Sequence, residues 1–199
     1  MAIKPILFNS EMVRAILDGR KDATRKIVKG FIPDDAVWGY TAFTPKGYIS
    51  CRGTFADGYG EKFFKLPCEP GDILYVRETW KKALNGYYYY EAWQRNDIAD
   101  VTKWKPSIRM PKEAARIWLK VTDVRVERLQ EISAESALAE GADKYIHTNG
   151  GLDENMTITS FIGIWNSTIK KSDIDRYGWD ANPYVWIIEF ERCEKPEGV

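Results

Sequence analysis

The stretch ARIWLKVTDVRVERL, residues 115–129, decides the predicted fold. Apolar residues alternate from Ile117 to Val121, as they do on the buried face of a strand. The alternation resumes at Val124, but with the opposite parity. One strand can bury both sets on the same face only if the intervening Thr-Asp pair contains a bulge or bend. Because a bulge lets a strand curve around a barrel corner, this stretch predicts a curled, barrel-like sheet.

Other strands and two or three helices are predicted on both sides of this strand. The predicted strands are PILF (5–8), TRKIV (24–28), the two arms of a hairpin over residues 36–55, ILYV (73–76) and NPYVWIIEFERC (182–193). The predicted helices are one between an Asn9 or Ser10 cap and Gly19, one between Ser133 and Gly141, and MTITSFIGIWNSTI (156–169). Strands spread along the chain with few helices between them favour one α+β domain.

The balanced charge of the sequence excludes attraction of nucleic acid by the net charge of the protein. The 199 residues suit one domain, and 29 Lys and Arg balance 29 Asp and Glu. A neutral protein has no global field to recruit polyanions, so binding of a nucleic acid or nucleotide would require a local basic patch.

Cysteine and histidine usage excludes several classes of site. Three widely spaced cysteines form neither a disulfide framework nor a CxxC zinc pattern, and His147 is the one histidine. A Ser-His-Asp triad or a histidine-rich metal site therefore has almost nothing to be built from. No apolar leader and no run of membrane-spanning length is present. We expect a cytoplasmic protein with no metal, no other cofactor and no membrane contact.

A local basic segment follows the first predicted helix. Residues 14–29 contain six cationic side chains and two acidic ones. A solvated basic turn is one interpretation. The alternative is that Lys21 and Thr24 project from the tight turn after Gly19 and meet over one pocket. A desolvated lysine beside a threonine can activate that hydroxyl as a nucleophile.

Three glutamates are candidates for the acid of such a site. Glu140 ends a helix just before Gly141, where the helix dipole disfavours an anion, so a paired lysine would make a useful acid-base pair. Glu154 lies at the N-terminus of the next helix, just before Met156, and Glu78 alternates out of a buried strand. All three are compatible with solvated surface positions; as site residues, Glu78 and Glu154 would contact the substrate.

Four blocks in order resemble the ASCH (activating signal cointegrator homology) family. They are GRKDATRK (19–26), PGDILYVRETW (70–80), VTDVRVERLQEISAESALAEG (121–141) and WDANPYVWIIEF (179–190). The likeness is greatest to phage- and prophage-encoded members and extends from Pro5 to Glu191. It implies an α+β fold with a PUA-like curled β-barrel and flanking helices. Residues 1–195 would form one such domain, with insertions at about 30–66, 81–111 and 142–153.

The resemblance also implies a cleft beside the barrel that binds RNA or a modified nucleoside. Some small bacterial members hydrolyse the acetamide of 4-acetylcytidine with a lysine, a threonine and a glutamate. By motif, these roles fall on Lys21, Thr24 and Glu140, or on Glu154 if the later ENMT block is aligned instead. The resemblance thus implies an amidohydrolase without a cofactor.

The signature departs from the family pattern at its arginine. The arginine usually lies two residues after the threonine, whereas here Arg25 follows Thr24 directly and Lys26 occupies the expected place. On a strand, Lys26 would share the face of Thr24 and Arg25 would not. Two other functions stay open: a non-catalytic RNA-binding module that uses Arg20, Lys21 and Arg25 for phosphates, or a phage accessory protein acting on host components.

Overall fold

The computed structural model describes residues 1–93 and 103–198, and its elements confirm the α+β class. The strands in these ranges are β1 (Ile3–Leu7), β2 (Ala23–Ile27), β3 (Val37–Gly39), β4 (Tyr48–Phe55), β5 (Gly58–Lys65), β6 (Ile73–Arg77), β7 (Trp80–Ala83), β8 (Gly86–Tyr89), β9 (Trp118–Arg128) and β10 (Tyr184–Cys193). The α-helices are α1 (Ser10–Leu17), α2 (Tyr90–Trp93), α3 (Ala134–Ala139), α4 (Glu154–Thr168) and α5 (Ile174–Tyr177).

The predicted bulge is present in β9. Glu189 of β10 lies opposite Asp123, but the next residue, Phe190, lies opposite Val121, so Thr122 is the extra residue. Val121 and Val124 consequently belong to one buried cluster on one face of the sheet, despite their opposite parity. The parity change that the sequence shows is therefore explained by this single inserted residue.

A five-stranded sheet in the order β1-β6-β9-β10-β2 forms the centre of the fold. β1 runs parallel to β6, and each of the other neighbouring pairs is antiparallel. The final strand, β10, lies between β9 and β2 rather than at an edge. In the described part of the chain, β1 and β2 are the two edges of this sheet.

Two hydrophobic clusters cover opposite faces of β10. The larger lies beneath α1 and the neighbouring strands and includes Ile6, Val13, Leu119 and Ile188. The second lies between the sheet and helices α3 and α4, and its members include Leu129, Phe161, Trp165 and Ile187. Because β2 pairs with β10 through these alternating residues, its own side chains are also divided between the two faces.

Two smaller sheets lie in segments expected to be insertions. β3, β4 and β5 form an antiparallel sheet within residues 30–66, where the sequence predicted a hairpin but not β5. β7 and β8 form a hairpin at the start of the 81–111 segment that was not predicted. Residues 94–102 of that segment lie outside the described residues.

Candidate active site

The turn after α1 directs Lys21 into the protein. Asn9 caps the helix by accepting a hydrogen bond from a first-turn N–H, and Gly19, with φ +72°, ends it as predicted. The backbone N–H of Lys21 then donates to the carbonyl of Ala15 at 3.1 Å. The lysine leaves this turn facing inward, and its side chain is 0% exposed.

Lys21 forms a buried ion pair with Glu140. Its Nζ lies 2.7 Å from Glu140 Oε2, and the glutamate side chain is 5% exposed. The same Nζ donates to the carbonyl of Ala23 at 2.6 Å and to that of Glu140 at 3.0 Å. An ammonium group has three protons, so these three acceptors use all of them.

Glu140 reaches Lys21 because α3 ends at that residue. Its N–H still bonds within the helix, and it forms a backbone bridge with Lys21. Gly141, with φ +90°, takes the left-handed conformation that ends the helix, as predicted. A Cβ at this position would lie 3.0 Å from the methyl carbon of Ala15. Glycine therefore allows α3 to approach α1 closely enough for the pair to form.

Arg25 contacts the other oxygen of Glu140. Its Nη1 lies 3.3 Å from Glu140 Oε1, and its guanidinium carbon lies 5.6 Å from the centre of the Phe161 ring. Arg25 pairs with Ile187, which faces α4, whereas Thr24 pairs with Ile188 on the opposite face. Burial lowers the pKa of Arg25 below its usual value, although Glu140 opposes that shift. Its long side chain thus reaches Glu140 from the face opposite Thr24.

A cavity of about 400 Å³ lies beside this cluster, along the edge of β2. The residues where β1 meets α1, including Phe8, form one wall, and Phe161 and Trp165 of α4 form another. Thr24 and Glu140 both line it. Thr24 is 4% exposed, and no hydrogen bond of its hydroxyl is made within the described residues. The cavity therefore brings an unengaged hydroxyl and a paired carboxylate to the same space.

Lys26 and Arg20 lie at the periphery of the cluster. Lys26 lines the same cavity as Thr24, and burial lowers its pKa below the usual value. Arg20 lines a neighbouring cavity of about 290 Å³ together with Glu140. Its Nη1 lies 3.4 Å from the carbonyl of Gly141, and its side chain is half exposed. Both cations are placed to contact a ligand that enters beside the ion pair.

Glu78 and Glu154 do not join this cluster. Glu78 is 1% exposed and accepts two hydrogen bonds from Arg116, each of 2.8 Å. Burial raises the pKa of Glu78, and Arg116 opposes that rise. Glu154 is the exposed first residue of α4. Neither residue is in the lining of the two cavities just described.

The Glu78 cluster also contains a residue that the sequence did not indicate. Glu91 of α2 is 5% exposed and bridges Arg116, at 3.3 Å, and Arg14 of α1, at 3.3 Å. The ring of Tyr89 lies 4.3 Å from the Arg116 guanidinium carbon. This network attaches the β7–β8 hairpin to the helix that precedes Lys21. Glu91 carries no motif that could have marked it, because its partners are distant in sequence.

The described residues contain no group of three or more His, Cys, Asp or Glu placed to hold a metal ion. Within the same residues, no helix combines the length and the apolar character needed to cross a membrane. Comparison with protein-family models, curated proteins and solved structures found no match.

Proposed function

We propose that the chain has the PUA-like fold of the ASCH family and that its cavity binds RNA or a modified nucleoside. The position of the cavity supports this fold. Residues that follow edge strand β1 and residues of edge strand β2 line the same cavity. A sheet whose opposite edges face one cavity is strongly curled, and the bulge in β9 supplies a local bend.

The proposed reaction is hydrolysis of the acetamide of 4-acetylcytidine. The observation that carries it is the buried Lys21–Glu140 pair, 2.7 Å in length, beside a cavity that Thr24 also lines. A nucleophile, a carboxylate and a fixed cation are the groups that acyl transfer by a hydroxyl requires. Of the three candidate glutamates, Glu140 is the one that meets the lysine.

Lys21 has an orienting role in this reaction, since all three of its protons are already donated. Glu140 is the group that moves the proton. Thr24 Oγ attacks the acetyl carbonyl carbon while its proton passes to Glu140. The C–N bond then breaks as Glu140 donates that proton to the departing N4 of cytidine. The products of this half-reaction are free cytidine and an acetyl ester on Thr24.

Water completes the reaction in the same cavity. Glu140 removes a proton from the water as its oxygen attacks the ester carbonyl, and the bond to Thr24 Oγ breaks. The proton returns to Thr24 Oγ, and acetic acid leaves and loses its remaining proton to the solvent. The sum is one 4-acetylcytidine and one water converted to cytidine, acetate and one proton, with the site restored.

Loss of the acetyl group from 4-acetylcytidine, followed by chromatography, tests this proposal. Thr24→Val keeps the shape of the side chain but removes the hydroxyl, so turnover is expected to fall at least about a hundredfold. Thr24→Ser is the matched variant that retains the nucleophile and measurable turnover. Glu140→Gln is expected to abolish turnover, whereas Glu154→Gln retains it. Turnover by Thr24→Val at the wild-type rate would disprove the nucleophile assignment.

A non-catalytic RNA-binding module is the second candidate, and the cationic lining of the cavities favours it. Arg20, Arg25 and Lys26 all lie around Glu140. Phosphate contacts by such residues make affinity fall linearly with the logarithm of salt concentration. Absence of turnover on the nucleoside and on acetylated RNA, together with a steep salt dependence of RNA binding, would favour this module. Capture of host components alone would favour the phage accessory function.

A further inference from the structure

Arg25 contains two buried donors without a partner among the described residues. They are Nε and Nη2, each with less than 1 Å² exposed, on a side chain that is 1% exposed. The remaining nitrogen, Nη1, makes the 3.3 Å contact with Glu140. Burying N–H donors without acceptors is unfavourable, and most buried donors in proteins are satisfied. The arrangement becomes favourable when a ligand supplies the acceptors.

Arg116 shows what this pair of nitrogens can bind. Its Nε and Nη2 hold the two oxygens of Glu78, at 2.8 Å each. Nε and Nη2 lie side by side on one edge of the planar guanidinium, so they form a fork that fits two oxygens of one oxyanion. In Arg25 the same two nitrogens have no such group from the described chain.

The charges around the 400 Å³ cavity at the edge of β2 favour binding of an anion. Glu140 is the acidic residue among those described in its lining, and Lys21 and Arg25 already contact its two oxygens. Lys26 adds a second lining cation. Arg25 also borders a second cavity, but that lining contains three acids, Asp22, Glu135 and Glu189, against one further cation, Arg125, which is itself paired with Glu189. Its excess of negative charge disfavours an anion. The ligand's oxyanion therefore belongs in the cavity that contains Thr24.

We infer that Nε and Nη2 of Arg25, assisted by Lys26, bind a phosphate group of the ligand. This inference rests on the proposed function for the identity of the site and narrows its substrate class. The preferred substrate is then a phosphorylated nucleotide or a nucleotide within RNA, which should bind more tightly than the free nucleoside. Arg25 thereby replaces the displaced signature arginine, because its side chain reaches the cavity from the other face of β2.

Titration calorimetry at constant ionic strength tests the inference with inorganic phosphate, cytidine 5′-monophosphate, cytidine and a short single-stranded RNA. Phosphate and the nucleotide are expected to bind, and cytidine to bind at least about tenfold more weakly than its monophosphate. Arg25→Lys keeps a cation but lacks the fork, so it should weaken phosphate binding roughly tenfold to a hundredfold. Tighter binding of RNA than of the mononucleotide would identify the phosphate as a phosphodiester.

Arg128→Lys is the matched control, because Arg128 stacks on Tyr184 and pairs with Asp34 away from the cavity. It should leave phosphate affinity unchanged. If Arg25→Lys does not fold, the arginine Nε–H signals of the wild-type protein provide the second measurement, and one buried signal is expected to shift with phosphate. The inference would be overturned if cytidine and its monophosphate bound with equal affinity. It would also be overturned if Arg25→Lys bound phosphate as tightly as the wild type.

The inference and the proposed function fail differently. Arg25-dependent phosphate binding without any deacetylation supports the anion site and rejects the hydrolase. Deacetylation that depends on Thr24, with no phosphate effect on binding or rate, supports the hydrolase and rejects the anion site. Thr24→Val is expected to bind phosphate like the wild type, because it removes no cation.

Discussion

Breaking the Lys21–Glu140 pair is expected to destabilise the fold strongly. Glu140→Gln leaves the cations of Lys21 and Arg25 buried without their carboxylate, in side chains that are 0% and 1% exposed. Removing one partner of a buried pair typically costs about 3–5 kcal/mol, because an uncompensated charge remains buried. Lys21→Met should cost about 3 kcal/mol, the lower end of that range, since Arg25 still contacts Glu140.

A double-mutant cycle measures the interaction free energy of Lys21 and Glu140 separately from their interactions with other groups. The double variant Lys21→Met/Glu140→Gln is expected to cost less than the sum of its parents by about 1–3 kcal/mol. Urea unfolding, followed by tryptophan fluorescence and extrapolated linearly to water, gives each free energy of unfolding. The exposed pair Lys120–Glu191, 3.3 Å long and 52% and 58% exposed, provides the control cycle.

The control cycle should give a coupling below about 1 kcal/mol, the usual size for solvent-exposed pairs. A Lys21–Glu140 coupling as small as that of the control would refute the reasoning, because it would mean that the two groups are solvated or apart. A Glu140→Gln variant as stable as the wild type would have the same meaning. Either result would also remove the basis for proton transfer by Glu140 beside a fixed lysine.

Two further predictions concern groups outside the cavity's ion pair. Burial raises the pKa of Cys51 and Cys68 to about 11. Burial also raises the pKa of Cys193, but Cys193 is only half buried whereas the other two are buried, so a thiol reagent at pH 8 should label Cys193 first; rapid labelling of all three in native protein would contradict this. Burial would raise the pKa of Asp72, but hydrogen bonds from a lysine and two backbone N–H groups lower it below 3.8. Its stabilisation is therefore present above about pH 4 and lost as the pH falls through the folded-state pKa. Asp72→Asn should lower the free energy of unfolding at pH 7 and flatten its acid dependence below pH 4; an unchanged acid dependence would argue against the lowered pKa.

The features of the fold that depend on local sequence could be predicted. The parity change between Val121 and Val124 fixed the bulge, because a strand has only two faces. Gly19 and Gly141 marked helix ends, because each takes a positive φ that other residues avoid. The β7–β8 hairpin was missed although Asn85 precedes Gly86, a pair typical of tight turns between strands. Its aromatic neighbours showed no clear alternation.

The site was less predictable, because its contacts join distant parts of the chain. Lys21 and Glu140 are 119 positions apart, and no spacing rule connects them. The helix-end position of Glu140 indicated that a paired lysine would be useful there, but only the family resemblance brought Lys21 and Glu140 into one site. The contact between them is present. Strand alternation correctly placed Arg25 on the face opposite Thr24. Alternation, however, determines only the face on which the Cβ atom lies, not where the end of the side chain lies. A side chain as long as arginine can pass the edge of a strand, so its endpoint required the structure.

The central position of β10 determines when this fold can be completed during synthesis. Strand β2 ends at residue 27, yet its sheet partner is residues 184–193, so β2 must wait for almost the whole chain. Pairings of such high sequence separation form slowly, since a long loop must close before any contact compensates for its entropy. On the ribosome, Lys21 and Thr24 therefore emerge early but stay without their sheet until β10 is made. Loss of β10 by cleavage before it would remove a central strand, so β2 would lose its connection to β9 and to the rest of the sheet.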